Sequence, residues 1–390
     1  MSYAMENKKK YIIISPLFPS DESHVGSYIY DQAKTIIELQ RYNVKVIKIT
    51  SVFTSEKDYT FKGIDVKIFK VLDIPFFIFP GVFNFINTRR IKRFFRSNNF
   101  FSNLDVIHSH VCYPAAYLAN AIESIVNIKT IVQHHGIDAL QLLNGRFSLV
   151  TSIQNRFLRN RSLKQLNKIG LSVSVSQRVM KALHEHKKYK PKDEYVLYNG
   201  VDRKKFYNTN TSKNNEIYTI GCIANFWQIK DHINLIKAIK LIILDGITNI
   251  ELKLIGVGET LDLCKQFVID HNLSSYIIFE KERPHTLIND FYNELDLFIL
   301  PSYYEACSCS LMEAWATDIP VLSIKGQGFA EVIPINERDN LLADQQSPES
   351  LKEKIIGEYN RRREYPFNDI YDIKNTIKHF IYSPFFKLDD

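Results

Sequence analysis

Short apolar runs rich in β-branched residues alternate with amphipathic stretches along the whole chain. The first series begins at residues 11–15 (YIIIS), continues through a helix-like stretch at residues 26–39 and returns to a strand pattern at residues 44–50 (VKVIKIT). This strand–helix–strand rhythm is typical of parallel sheets covered by helices on both faces. Further strands of the first series are predicted at residues 105–110, 129–135, 171–176 and 194–200.

A second series of the same kind follows a polar stretch at residues 208–216, which contains no apolar residue and is predicted to be a linker. The pattern therefore predicts an α/β protein with two domains over residues 1–205 and 206–365, and a helical tail over residues 366–390. The second series has predicted strands at residues 218–225, 250–258, 276–281, 295–302 and 319–324, and predicted helices at residues 231–245, 260–272, 284–294 and 309–317.

Length and composition agree with two soluble cores. The chain has 390 residues, of which 45% are hydrophobic. This length is greater than one compact core usually accommodates. The most apolar stretch, residues 74–86, is interrupted by Pro75, Pro80 and Gly81, so no membrane span is predicted. The five cysteines are scattered without a C-x-x-C pair, which argues against a disulfide framework or a zinc site and favours a cytoplasmic location.

Charge is distributed unequally between the two halves. Residues 1–200 contain 29 Lys and Arg against 15 Asp and Glu, a net charge of +14, whereas residues 201–390 contain 21 against 28, a net charge of −7. Such asymmetry indicates an anionic partner of the first half, whether a membrane surface, a nucleic acid or a polyanion. A lysine-rich surface without any partner is the alternative.

Residues 76–101 (FFIFPGVFNFINTRRIKRFFRSNNFF) concentrate this positive charge among phenylalanines. The mixture suits an amphipathic element lying on an anionic membrane, and it also suits stacking on single-stranded nucleic acid or a core-packing helix with a solvated basic face. No recognised nucleic-acid module accompanies it, so we predict peripheral attachment to the inner face of the cell membrane and no nucleic-acid partner. The basic residues are Arg89, Arg90, Lys92, Arg93 and Arg96.

The most informative segment is LFILPSYYEACSCSLMEAWATDIPVLS, in which a predicted strand leads into a loop with Glu305, and Glu313 follows eight residues later. If a helix begins near Ser308, Cys309 and Ser310, its free N–H groups and dipole favour a diphosphate there. The two carboxylates would then accept hydrogen bonds from sugar or ribose hydroxyls. On spacing alone, an ordinary strand–loop–helix with two solvated glutamates is equally compatible.

This segment resembles the E-x7-E motif of the GT-B glycosyltransferases of family GT4, and other segments of the chain match that family in the expected order. The resemblance covers nearly the whole chain and implies a GT-B fold: two facing Rossmann-like domains with parallel sheets, the acceptor side first and the nucleotide-sugar donor side second. It also implies that the C-terminal helix of residues 366–390 crosses back to the first domain. The matching positions are Pro301, Ser302, Glu305, Glu313, Ala314, Ala316, Pro320 and Val321, together with Gly26 and residues 105–110, 134–138, 174–176, 198–202, 223–232, 254–259 and 326–333.

The resemblance also implies roles for individual residues of the second domain. Glu305 is expected to contact the donor sugar at the reaction centre, Glu313 to bind the donor ribose, and Lys230 to meet the diphosphate. A cation there stabilises the charge that develops on the departing nucleoside diphosphate. No D-x-D motif is present, so neither a metal ion nor a cofactor is expected.

In the first domain the resemblance points to His135, in a Q-H-H-G segment at a predicted strand end, as a catalytic residue near the donor sugar and acceptor. Asp138 and His110 are weaker expected sugar or acceptor contacts, and His110 is equally compatible with a core role. Gly26 is expected to bring backbone close to the donor phosphates or the acceptor.

Two departures from the family pattern concern the donor site. Asn225 is placed with the donor-binding residues, but it stands where an arginine commonly accompanies the lysine, and Ala306 and Ser308 stand where glycines usually follow the first glutamate. One phosphate-binding cation is therefore missing.

The expected activity is a metal-independent, retaining hexosyltransferase. It would move a hexose or N-acetylhexosamine from a UDP-linked or GDP-linked donor to a glycan or lipid-linked acceptor in cell-surface polysaccharide or lipopolysaccharide synthesis. A nucleotide-sugar epimerase and a non-catalytic nucleotide-sugar-binding protein on the same fold are the alternatives.

Overall fold

A computed structural model of the chain describes residues 8–73, 81–136, 151–210 and 216–387. The chain forms two compact units. The first comprises Met1–Tyr198 together with Ile373–Asp390, and the second comprises Asn199–Asp372.

The first unit contains an eight-stranded sheet in the order β3-β4-β2-β1-β5-β6-β7-β8. Every pair is parallel except β3 with β4. Tyr11 of β1 lies opposite Val44 on one side and Val106 on the other, so β1 is central and the strand order reverses beside it. The strands are β1 Lys10–Ser15, β2 Asn43–Ser51, β3 Tyr59–Phe61, β4 Ile64–Val71, β5 Leu104–His110, β6 Lys129–His134, β7 Leu171–Ser174 and β8 Glu194–Val196.

Helices pack against this sheet through one apolar face. In the first helix, Ile29, Ala33 and Ile36 recur at helical spacing and are all buried. The described helices that precede the second unit are α1 Ser27–Glu38, α2 Asn84–Ser97, α3 Tyr117–Glu123, α4 Thr151–Leu166 and α5 Gln177–His184.

The second unit contains a six-stranded, fully parallel sheet in the order β11-β10-β9-β12-β13-β14. Its strands are β9 Tyr218–Ile223, β10 Ile250–Ile255, β11 Ile277–Glu280, β12 Leu297–Ile299, β13 Val321–Ile324 and β14 Leu342–Ala343. Its helices are α6 His232–Leu244, α7 Leu261–Asp270, α8 Ile288–Glu294, α9 Cys309–Trp315, α10 Arg338–Leu341 and α11 Pro348–Arg361.

The last helix, α12 Ile373–Ile381, belongs to the first unit. Ile377, Phe380 and Ile381 are buried in the same core as Tyr11 and Ile13 of β1. The C-terminal segment therefore completes the core of the first unit.

The two parallel-dominated sheets confirm the predicted α/β class, and each strand predicted from the sequence overlaps an observed one. The sequence analysis missed β3, β4 and β14. β3 and β4 form the outer edge of the first sheet, where exposed Asp65 and half-buried Lys67 interrupt the apolar run, and β14 is only two residues long.

Within the predicted membrane-binding segment, residues 76–80 lie outside the described residues. Within the remainder, Asn84–Ser97 form helix α2, whose buried face consists of Asn87, Ile91 and Phe95. None of the helices in the described parts of the chain is long and apolar enough to cross a membrane.

Candidate active site

The strand order of the second sheet reverses between β9 and β12, because β10 and β11 extend to one side of β9 while β12 to β14 extend to the other. Ligands of open α/β sheets bind outside the carboxyl ends of the strands at such a point. The chain leaving β9 carries Asn225 and Lys230, and the chain leaving β12 carries Glu305. The fold thus places three predicted donor-site residues at this edge.

Lys230 and Glu305 are in direct contact, the lysine Nζ donating to the glutamate Oε2. Their side chains are only 19% and 15% exposed, so the ion pair is largely shielded from water. A charge pair in such an environment is stronger and better oriented than one on the surface. The structure therefore brings together two residues that are 75 positions apart in sequence.

The backbone around Glu305 is held from two sides. Its N–H donates to the Gln327 side-chain oxygen at 2.8 Å, and its carbonyl accepts from the Gly328 N–H at 3.1 Å. Two residues earlier, the Tyr303 N–H donates to the Ile229 carbonyl at 3.2 Å, which ties this loop to the turn that ends at Lys230. Gln327 is buried, and its role was not predicted, although it lies in a segment that resembles the family.

Lys230, Asn225 and Ser310 line a common pocket of about 370 Å³. Pockets that bind small ligands have volumes of roughly 300 to 1,000 Å³. Gly256 closes one side with φ of 151°, where a Cβ would lie 2.0 Å from the Ala224 carbonyl oxygen, so only glycine allows this approach. The other lining residues are Ile223, Ala224, Trp227, Ile255, Glu282, Arg283 and Ile288.

Arg283 also lines this pocket, and the sequence analysis had not singled it out. Its guanidinium is already engaged by Glu280 at 2.6 Å and by Glu294 at 2.9 Å. These hydrogen bonds, that to Glu294 first, raise the pKa of Arg283. Of the two cations that line the pocket, Arg283 is held by these glutamates, whereas Lys230 contacts Glu305.

Helix α9 begins at Cys309, as the sequence predicted. The Ser308 Oγ caps it by accepting from the Leu311 N–H at 3.3 Å, and it lies 2.9 Å from the Ser310 Oγ. Asn199 holds the preceding loop by donating to the Cys307 carbonyl at 2.7 Å. The predicted donor-site residues of this helix start are thus fixed by local hydrogen bonds.

Glu313, one turn into α9, is oriented by a residue that the sequence analysis missed. The Tyr292 hydroxyl donates to the Glu313 Oε2 at 3.0 Å, and the His285 Nε2 lies 4.0 Å from Oε1. Burial, and then the charge of Glu313, hold the pKa of Tyr292 well above its usual value. Tyr292 therefore remains a hydrogen-bond donor to this carboxylate at any physiological pH.

In the first unit, His110 ends β5 and His135 follows β6, the neighbouring strand. The His110 Nδ1 lies 2.9 Å from the His135 Nε2, and the two rings are nearly parallel at 5.1 Å. His108 stacks behind His110 at 4.5 Å and has its Nδ1 2.7 Å from the Tyr11 hydroxyl. His110 is fully buried, whereas His135 is partly exposed, so His110 lies behind His135.

Burial keeps His108 and His110 neutral. It lowers the pKa of His108 to about 3 and, together with the neighbouring His108 and His135, holds the pKa of His110 well below its usual value. A neutral His110 has one N–H and one acceptor nitrogen, and it can therefore fix the tautomer of the ring it contacts.

Gly26 and His135 lie on segments that are in contact. Gly26 caps α1 with φ of 89°, and Tyr28 in the first turn of that helix packs on the His135 ring at 4.7 Å. Asp138 lies outside the described residues. Tyr28 was not predicted, and its only sequence signal is an aromatic residue next to the glycine segment.

The described residues include no group of three or more His, Cys, Asp or Glu side chains placed to hold a metal ion.

Two family models match the chain in succession. The model of the glycosyltransferase family 4 matches residues 25–205, and the model of the glycosyl transferases group 1 matches residues 203–363. Together they span both structural units and include all the candidate site residues described above.

Individual relatives agree with these matches. The chain is 27% identical to the glycosyltransferase MJ1178 of Methanocaldococcus jannaschii over 281 residues. The match covers 71% of each chain. The chain is 24% identical over 247 residues to N-acetyl-α-D-glucosaminyl L-malate synthase of Bacillus anthracis, which is 59% of each chain and thus less than two thirds of that relative.

Among solved structures, Anabaena HepE in complex with UDP is similar with a TM-score of 0.66. The match covers 96% of this chain and 95% of HepE at 16% sequence identity. At that identity the likeness concerns the fold.

Proposed function

Because this chain belongs to the group 1 and family 4 glycosyltransferases, which share the GT-B fold, we propose that it is a retaining hexosyltransferase. In this proposal a hexose or N-acetylhexosamine passes from a nucleotide-diphosphate sugar to a glycan or lipid-linked acceptor in cell-surface polysaccharide or lipopolysaccharide synthesis. The observation that carries the proposal is the shielded contact of Glu305 with Lys230, which lines the pocket at the switch point of the second sheet.

Lys230 is suited to stabilising the leaving group. As the bond between sugar and diphosphate breaks, negative charge builds up on the diphosphate, and a fixed cation in a shielded pocket stabilises that state more than the ground state. Glu305 keeps the ammonium in place before the donor arrives. Its own carboxylate then accepts from the donor sugar at the reaction centre.

The rest of the donor is assigned to helix α9 and its neighbours. Glu313, with one oxygen held by Tyr292, is proposed to accept from the ribose hydroxyls, and Ser308, Cys309 and Ser310 to lie beside the diphosphate. We favour a UDP-linked donor, because HepE of the same fold was solved with UDP, and place a GDP-linked donor second.

His135 is the proposed contact of the first unit with the transferred sugar and the acceptor, with Asp138 as a further contact. His110 is proposed to act through His135, which it contacts from the buried side. Retention without a protein nucleophile leaves the departing phosphate as the base that accepts the proton of the acceptor. We propose that transfer requires neither a metal ion nor a cofactor, since the sequence has no D-x-D motif and Lys230 supplies a positive charge.

We propose that the enzyme is cytoplasmic and attaches to the inner face of the cell membrane. The support for this attachment lies around the start of α2, where Phe85 is 61% exposed and Val82, two residues before the helix, is 44% exposed. The Arg89 guanidinium lies 5.7 Å from the Phe85 ring. Exposed aromatic and cationic side chains of this kind favour an anionic lipid interface.

The test is a transfer assay with radiolabelled nucleotide sugars and bacterial membrane extract as acceptor, with and without EDTA. We expect label in a lipid-extractable product that resists EDTA, and a loss of about 10²-fold or more in kcat for Lys230→Ala and Glu305→Ala. Lys352→Ala, which removes a surface ion pair with Asp245, is the matched control and should transfer at the wild-type rate.

A non-catalytic nucleotide-sugar-binding protein is the second candidate, and the Asn225 position favours it. The cation missing there is not replaced by Arg283, whose guanidinium is engaged by two glutamates. Donor binding without transfer across the whole panel would establish this candidate. Donor conversion without any acceptor would instead identify an epimerase.

A further inference from the structure

A second cavity lies in the first unit, away from the histidine row. It is a groove of about 730 Å³ between helix α2 on one side and strand β4 with the loop at residues 56–58 on the other. We call it the basic groove. Its cations stand on both walls, Lys57 and Lys70 on one and Arg90 and Arg93 on the other.

The charge of the basic groove is not balanced from within. Its lining has two carboxylates, but each is already paired with a lysine outside the lining: Glu56 with Lys48 at 3.0 Å and Asp58 with Lys67 at 2.9 Å. None of the four lining cations has an ion pair with a described carboxylate, whereas the two acids are neutralised. The groove therefore presents four uncompensated positive charges.

The floor of the groove is aromatic and fixed. Phe69 is buried and packs edge-on against Phe94 at 5.3 Å, and the Arg90 guanidinium lies over the Phe69 ring at 5.9 Å. The Lys70 ammonium is held by the Thr54 carbonyl at 2.7 Å. One cation on each wall, Arg90 and Lys70, is thus held in a set position.

We propose that the basic groove binds the acidic groups of an anionic glycan, and that the acceptor of this enzyme is therefore a glycan bearing carboxylates or phosphates. The groove borders the carboxyl half of β4, and β6, which leads into His135, lies four strand spacings away in the same sheet, about 19 Å at the usual strand spacing. A glycan held there can extend along the same sheet edge to His135. This inference rests on the proposed transferase function and deepens it.

The shape of the groove favours a glycan over a membrane. A bilayer presents a flat surface and needs protruding apolar side chains, but the phenylalanines of the groove form its floor. The exposed apolar residues near the start of α2, Val82 just before the helix and Phe85 within it, lie outside the groove lining. An extended polyanion, in contrast, can lie between two cationic walls.

The test measures binding of fluorescein-labelled octagalacturonate to the full chain by fluorescence anisotropy, with labelled maltooctaose as the uncharged analogue. We expect octagalacturonate to bind in a salt-dependent way and maltooctaose not to bind. The double variant Arg90→Gln/Arg93→Gln should weaken binding about tenfold. The control Lys92→Gln/Arg96→Gln removes the same charge from the same helix outside the groove lining, and it should bind like the wild type.

The opposite wall provides an independent variant. Lys57→Gln/Lys70→Gln changes no residue of α2 and should weaken binding to a similar extent, so a folding defect of one helix cannot explain both results. Equal losses in the groove variants and in the control would overturn the proposal, because they would show a general charge effect. Binding only to phosphatidylglycerol vesicles, and not to octagalacturonate, would also overturn it and assign the surface to a membrane.

The binding assay needs neither donor nor turnover. If the protein transfers sugar but does not bind octagalacturonate through the groove, this inference is wrong and the proposed function stands. If the protein binds octagalacturonate through the groove but transfers no sugar, the anion site stands and the proposed function is wrong.

Discussion

Single hydrogen bonds decide where the charged groups of the donor pocket point. The proposed contact of Glu313 with a ribose needs a carboxylate held in one orientation, and the Tyr292 hydroxyl donates to this carboxylate at 3.0 Å from a fully buried ring. A buried donor that already faces the carboxylate lowers the entropy lost when a ligand binds. Tyr292 is thus a positioning residue.

Replacing Tyr292 with phenylalanine should raise the KM for the nucleotide sugar about threefold to tenfold with little change in kcat, because one net hydrogen bond contributes about 0.5–1.5 kcal/mol. Steady-state kinetics over a donor range measures the change. Tyr189→Phe removes a comparable buried hydroxyl, 2.6 Å from the Ser172 Oγ in the first unit, and should lower stability without raising KM. An increase in KM in both variants would contradict the positioning role.

Gly26 is a second position where one residue decides the local structure. Its φ is 89°, and a Cβ there would lie 2.9 Å from the backbone of Leu17 and Phe18. Gly26→Ala should therefore lower the free energy of unfolding by about 1–3 kcal/mol, as measured by urea denaturation. Gly63→Ala is the matched control, since its φ is 84° but nothing lies within 4 Å, so it should cost only about 1 kcal/mol. Equal costs would show that the close contact is relieved.

At the scale of elements, strand β5 places two ionisable side chains, His108 and His110, in the core. Its burial pattern becomes fully buried from Val106 onward, and both His108 and His110 lie in that part. An unfolded histidine has a pKa of about 6.5, whereas the pKa of His108 in the folded chain is about 3. Between these values the unfolded state binds more protons, so the stability of the fold decreases as pH falls below about 6.5.

His108 and His110 should each remove about 1.4 kcal/mol of stability per pH unit below 6.5. Urea denaturation at pH 7, 6 and 5 measures how steeply stability falls with pH. His108→Asn should reduce this slope by the contribution of one histidine, about 1.4 kcal/mol per pH unit. Tyr11→Phe is the matched control: it removes the hydroxyl that contacts His108 and lowers stability at every pH, but it leaves the slope. An unchanged slope in His108→Asn would show that His108 is protonated in the folded state.

At the scale of the whole molecule, the two units do not correspond to two continuous stretches of sequence. Helix α12 is the last helix of the chain, yet Ile377, Phe380 and Ile381 are part of the core of the first unit. The first unit therefore requires residues from both ends of the chain.

Phe380→Ala should destabilise the first unit by about 3–5 kcal/mol, because the ring is fully buried and leaves a cavity. Amide hydrogen exchange should then accelerate in β1, β2 and β5 and stay unchanged in β9 and β10. Phe291→Ala, at an equally buried ring of the second unit, should give the reverse pattern. Faster exchange in both units for either variant would mean that the units unfold together.

The order of strands and helices, the α/β class and the motif residues follow from the sequence, because side-chain periodicity and short motifs are local properties of the chain. The predicted helix over residues 309–317 is observed as Cys309–Trp315, and the motif by itself points to Lys230, Glu305 and Glu313 as site residues.

Contacts between distant parts of the chain were decided only by the tertiary structure. The pairing of Lys230 with Glu305, the support of Glu305 by Gln327 and of Glu313 by Tyr292, and the facing walls of the basic groove all depend on which strands are neighbours. No local pattern encodes strand order, since it results from how the helices and sheet edges pack together. The sequence therefore determined the elements and the chemistry they carry, and the packing of those elements decided which groups meet.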